Sequence, residues 1–202
     1  MKTLFELYEN HHGKSSDKWT IYLETYHEVL APLQEKPVNF LEIGVQNGGS
    51  LEIWSKYFPN ANNIVGCDIN ERCALLEYEN KKISLVIGNS STARVRNSIA
   101  EISPRFDVIV DDGSHDSSDI IKSFLLYFPL IEEGGFYIIE DLHCSYWLNF
   151  EGGLYDPYSS MAFLKKLGDI PNHEHWGSQK QEKDYLRPFY EHYDCVGFDN
   201  VD

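Results

Sequence analysis

The sequence predicts an α/β fold built on a mostly parallel central sheet with helices on both faces. Three observations carry that expectation. Short apolar runs rich in β-branched and aromatic residues recur along the chain, helix-compatible stretches lie between them, and glycines or acids stand where the runs stop. At 202 residues, 42% apolar and 14% aromatic, the chain is long enough for one domain with a real core.

Strands are expected at 38–43 (VNFLEI), 63–67 (NIVGC), 83–87 (ISLVI), 106–110 (FDVIV) and 136–139 (FYII), each short and apolar in the manner of a buried strand. Helices are expected at 50–58, 71–79, 92–102 and 117–131; in the last, Ile120, Ile121, Phe124, Leu125 and Phe128 recur at helical spacing. Trp19, Tyr22 and Tyr26 are also at helical spacing and read as packing. In such sheets ligands bind outside the carboxyl ends of the strands, which selects the residues that follow each run.

The first strand ends in LEIGVQNGGS. Gly44, Gly48 and Gly49 let a ligand approach the backbone and the helix-terminal N–H groups. The spacing is not G-x-G-x-x-G, so a dinucleotide cradle is disfavoured. The second strand ends in GCDIN, where Asp68 is placed to accept ribose hydroxyls; with the glycine turn it points to an adenosine-containing ligand. Asn89 and Ser90, after the third strand, suit an adenine edge, although turn residues at a strand end need no ligand to explain them.

The fourth strand ends in DDGSH and the fifth in EDLH. Four carboxylates, Asp111, Asp112, Glu140 and Asp141, at neighbouring strand ends repel unless protonated or bound to a cation. Oxygen ligation favours Mg²⁺, Mn²⁺ or Ca²⁺ over Zn²⁺. Side chains alternate along a strand, so Asp111 and Asp112 cannot both face one ion while the strand continues. Either the strand stops between them or they divide their work, Asp111 toward the cofactor and Asp112 toward the metal.

Together, LEIGVQNGGS, GCDIN, DVIVDDGSH and FYIIEDLHCSYW resemble the class I S-adenosylmethionine-dependent methyltransferases, specifically the Mg-dependent sugar O-methyltransferase group with its rhamnosyl O-methyltransferase and cephalosporin hydroxylase relatives. The resemblance implies a Rossmann-like single domain: an N-terminal helical cover (1–36), a cofactor-binding core (37–147), and an acceptor loop with the C-terminal part (148–202). It implies Mg²⁺ on Asp112, Glu140 and Asp141, His115 as general base, and Glu42, Gly44, Gly48, Asp68, Asn89, Ser90 and Asp111 around S-adenosylmethionine. Many relatives carry Asp where this chain has Asn89. Asp17 and Tyr22 become secondary cofactor candidates, and His143 and Tyr146 acceptor contacts. The resemblance also implies a closing hairpin, of which 194–198 (DCVGF) is recognisable as a first strand while a second is not found.

The implied reaction is methylation of a hydroxyl on a sugar or glycosylated natural product, with a vicinal diol chelated to the metal and His115 taking the proton. A catechol-type or other small-molecule O-methyltransferase, or an inactive cofactor-binding protein, stands as the alternative.

The net charge of −15 repels nucleic-acid phosphates and anionic membranes and suits a small-molecule acceptor; a homo-oligomer is left open. Cys67, Cys73, Cys144 and Cys195 are scattered and read as reduced thiols, which with the lack of a signal-like or membrane-spanning apolar stretch leads to the expectation of a cytoplasmic protein. His11 and His12 are expected in a mobile N-terminal segment, and His173, Glu174 and His175 (NHEHW) in a solvated loop rather than a metal site.

Overall fold

The computed structural model describes residues 2–177 and 182–195. Five strands, β1 (Asn39–Ile43), β2 (Asn63–Asp68), β3 (Ile83–Ile87), β4 (Phe106–Asp111) and β5 (Ile131–Ile139), form one sheet in the order β3-β2-β1-β4-β5. The helices are α1 (Leu4–Glu9), α2 (Thr20–Leu30), α3 (Gly49–Tyr57), α4 (Ala93–Ile102), α5 (Ser117–Tyr127), α6 (Ser160–Leu167) and α7 (Glu182–His192). Among the described residues, no helix is long and apolar enough to cross a membrane.

The register is parallel. Phe40 of β1 faces Ile64 of β2 and Val108 of β4, and Ile43 faces Cys67 and Asp111. Val65 of β2 faces Ser84 of β3, and Asp68 faces Ile87. Strand order reverses between β1 and β4, the point at which α/β sheets of this kind open a crevice for ligands.

The chain divides into two compact units. The first comprises Met1–Gly113 and Leu130–Ile138. Its core is aromatic: the Trp54 ring lies 4.8 Å from Phe40, 5.1 Å from Tyr26 and 6.0 Å from Phe58, all measured between centroids. Tyr26 is buried, as its helical spacing suggested, whereas Trp19 precedes α2, is exposed, and stacks on Tyr22 at 5.8 Å. The second unit comprises Ser114–Pro129 and Ile139–Asp202. Ile121, Phe163, Leu186 and Phe189 form its core.

Four expectations are corrected. The helix at 71–79 is a short 3-10 turn, Glu71–Leu75, after which Leu76 is extended and the Tyr78 hydroxyl donates to the Gly48 carbonyl at 3.2 Å. The helix at 117–131 stops at Tyr127, because Pro129 cannot continue it, and the strand expected at 136 begins at Ile131. His11 is tied down: Nε2 donates to the Lys14 carbonyl at 2.9 Å while Nδ1 receives Lys56 at 3.3 Å. The strand expected at 194–198 falls mostly outside the described residues; Asp194 lies with Tyr193 in the turn that follows α7.

Candidate active site

In the first unit the turn after β1 is held from inside. Asp68, at the end of β2, accepts the Val45 and Gln46 amides through Oδ2 and the Asn70 amide through Oδ1, all at 2.8 Å. One carboxylate therefore shapes the loop that opens α3 and its own. Gly44 has φ +93°, and a Cβ there would lie 1.9 Å from the Asp112 carbonyl oxygen, so the backbones after β1 and β4 touch where only glycine fits. Gly48 stands at the N-cap of α3 with φ +84°.

Glu42 is fully buried in β1. It accepts the Ser50 hydroxyl at 2.5 Å and the Trp54 indole N–H at 3.2 Å, and Lys18 Nζ stands 3.5 Å away. The same ammonium donates to Asp112 Oδ2 at 2.8 Å. Lys18 thus bridges an acid expected on the cofactor side to one expected on the metal. Sequence reasoning passed over it in favour of its neighbour Asp17, which is exposed; the two contacts lie far from residue 18 in sequence, and only the Asp-Lys pair hinted at the segment.

Strand β4 ends at Asp111, which decides between the two alternatives left open by alternation. Asp111 is 4% exposed and accepts the Tyr137 hydroxyl at 3.3 Å, while the Asp112 side chain, 24% exposed, turns to Lys18. Asn89 bends the loop after β3, its Oδ1 accepting the Ser91 amide at 2.8 Å. That is ordinary turn work.

In the second unit the chemistry gathers on two turns. His115 lies just before α5, and Asp141 caps a 3-10 turn, Leu142–Tyr146, that follows β5; their backbones have φ +63° and +53°. Left-handed backbone at a non-glycine residue costs about 1 kcal/mol or more and persists where surrounding structure enforces it. His115 Nε2 is 3.7 Å from Asp141 Oδ2, and His143 Nδ1 is 3.9 Å from Asp141 Oδ1. The His143 ring packs edge-on against Trp147 at 5.1 Å, and Tyr146 is exposed beside it. Glu140, the first residue after β5, is buried, and an acid so placed requires a cation or several donors. Asp116, at the N-cap of α5, has its carboxyl pushed up by burial and by Glu151 and Asp119, with His115 opposing.

The remaining candidates are quiet. All four cysteines are buried and unpaired by disulfides, and burial, with Asp68 and Asp111, pushes the Cys67 thiol up to about 12. Such a thiol is a poor nucleophile. His173, on an exposed 3-10 turn, bonds the Ile170 carbonyl at 3.0 Å.

The chain is similar to several known proteins. The model of the rhamnosyl O-methyltransferase/CmcI family matches residues 14–146. An 8-demethyl-8-α-L-rhamnosyl tetracenomycin-C 2′-O-methyltransferase of Streptomyces olivaceus is 33% identical over 178 residues, 83% of this chain and 46% of that protein. A mycinamicin VI 2″-O-methyltransferase of Micromonospora griseorubida is 35% identical over 152 residues, 70% and 37% of the two chains. The MycE methyltransferase of the mycinamycin pathway, solved with Mg, SAH and mycinamycin VI, superposes with a TM-score of 0.78 at 29% identity, covering 91% of this chain and 49% of that one. The chain spans about half the length of the curated relatives it matches. By the extent of the family match, this chain belongs to the rhamnosyl O-methyltransferase/CmcI family.

Proposed function

We propose that this chain is an S-adenosylmethionine- and Mg²⁺-dependent O-methyltransferase that modifies a hydroxyl of a sugar or glycosylated natural product. The observation that carries the reading is the His115–Asp141 contact of 3.7 Å, made by the turns that follow β4 and β5 in a chain 33% identical to a rhamnosyl 2′-O-methyltransferase.

Asp112, Glu140 and Asp141 would hold the metal. The donor set fits: all three are carboxylates, Asp112 already accepts a cation in Lys18, and Glu140 is buried. Bound there, Mg²⁺ supplies charge stabilisation to hydroxyl oxygens of a vicinal diol. His115 takes the proton of the reacting hydroxyl, and the Asp141 carboxylate stabilises the imidazolium that results. The acceptor oxygen bonds to the methyl carbon as the carbon–sulfur bond breaks, leaving a neutral thioether. On the cofactor side, the Gly44 turn offers close backbone approach. Glu42, Gly48, Asp68, Asn89, Ser90 and Asp111 would surround S-adenosylmethionine, several by shaping the turns. His143 and Tyr146 would meet the acceptor.

The test is mass spectrometry of glycosides, nucleotide sugars and a catechol incubated with the protein, methyl-labelled S-adenosylmethionine and Mg²⁺. One glycoside should gain one methyl, a chelator should abolish the gain, and Mg²⁺ should restore it. Methylation of the catechol alone would move the protein to the catechol-type class, and chelator-insensitive transfer would remove the metal from the mechanism. Calorimetric binding of S-adenosylhomocysteine without transfer to any acceptor would leave an inactive cofactor-binding protein.

A further inference from the structure

The two turns that carry His115 and Asp141 share a feature that capping and packing leave unexplained. Ser117, two residues after His115, and Ser145, four after Asp141, are both fully buried, as is Ser160 at the start of α6. Ser160 touches both. Its amide donates to Ser117 Oγ at 2.9 Å, the Ser117 hydroxyl donates to Ser160 Oγ at 3.4 Å, and the hydroxyls of Ser160 and Ser145 meet at 2.6 Å.

Helix capping does not account for Ser160. Ser159 is the N-cap of α6, and its hydroxyl accepts the Ala162 amide at 3.2 Å. Inside a helix alanine is the better former, and a buried hydroxyl is costly unless bonded, so the Ser160 hydroxyl is present for the bonds it makes. Two further bonds run the same way. Ser118, beside Ser117, donates its amide to Glu151 Oε2 at 2.9 Å, and the Ser145 carbonyl accepts the Gly153 amide at 3.0 Å. His115 and Asp141 both have left-handed backbone, a conformation that needs enforcement from outside the turn.

We infer that Ser160 is a positioning residue: through a buried chain of hydroxyls it fixes the His115 turn against the Asp141 turn, and so sets the base for proton transfer. The inference rests on the methyltransferase reading. Misplacing a base by about 1 Å costs on the order of 100-fold in rate, which makes the chain's contribution measurable.

The experiment is Ser160→Ala, with steady-state kinetics on the methylated glycoside and ¹H–¹³C spectra of the His115 ring in the protein without substrates. Turnover should fall about 10- to 100-fold while both KM values stay within about twofold, because the binding groups are untouched. The His115 ring resonance should shift or broaden. Turnover within about twofold of wild type, an unmoved ring resonance, or a loss carried by KM would each overturn the inference. If Ser160→Ala does not fold, Ser145→Ala breaks the chain from its other side under the same criteria, and wild-type turnover there overturns it equally. A wild-type protein that methylates no glycoside would instead defeat the functional reading, while the ring spectrum still tests the positioning.

Discussion

The turns of the first unit and those of the second use charged residues in opposite ways. Toward the ends of β1, β2 and β4 the acids are absorbed by the fold: Glu42 by Ser50, Trp54 and Lys18, Asp68 by three backbone amides, Asp111 by Tyr137. On the turns of the second unit, His115 and Asp141 are about a fifth to a quarter exposed and meet at ion-pair rather than hydrogen-bond separation. Their order comes from backbone conformation and, by the inference above, from the buried serines that follow each of them in the chain. The first arrangement builds a wall of carboxylates already satisfied within the fold. The second leaves titratable groups partly exposed, as the proposed proton transfer requires.

If the division is right, mutations on the two sides should separate catalysis from stability. The largest effect is expected for His115→Ala: turnover should fall about 10²- to 10⁴-fold with S-adenosylhomocysteine affinity and melting temperature unchanged. Lost cofactor affinity with the fold preserved would erase the distinction between the regions. Next comes Gly44→Ala, which should destabilise the first unit by about 3 kcal/mol or more in denaturant melts, since the new Cβ meets the Asp112 carbonyl and φ is +93°. Near wild-type stability there would show the wall to be pliable.

The smallest effect concerns Glu52. Burial raises its carboxyl pKa, but the hydrogen bonds and charge of Lys14, with the charge of His11, outweigh burial and leave it below the usual 4.5. A depressed folded-state pKa contributes stability that is complete above the unfolded value and lost as pH falls through the folded one. Glu52→Gln should therefore cost about 1 kcal/mol at neutral pH and progressively less below pH about 4.5. A constant difference across that range would dismiss the ion pair as the cause.

Much of this arrangement is legible in the amino-acid sequence. Four of the five strands stand where apolar runs predicted them, because a buried strand reads as a short apolar run; β5 begins five residues early, at Ile131, where Glu132 and Glu133 are exposed and break that pattern. The acidic strand ends and His115 are equally plain, being short motifs of distinctive composition. The helix at 71–79 failed because periodicity does not register that Tyr78 is drawn to the Gly48 carbonyl across 30 residues of chain. Lys18 failed for the same reason: its partner Asp112 is 94 positions away. The three serines look like ordinary cap and turn residues in sequence, and their joint burial exists only once α5, α6 and the Asp141 turn have packed.

By itself, then, the sequence determined the layered α/β class, the strands, and the chemical types available at their carboxyl ends, since burial pattern and residue chemistry are local properties. Tertiary structure alone decided which acid each cation meets, that β4 stops between Asp111 and Asp112, that His115 and Asp141 occupy left-handed backbone, and that the hydroxyls of Ser117, Ser145 and Ser160 join in a buried chain. Those are relations between residues distant in the chain, and they are settled by packing rather than by local preference.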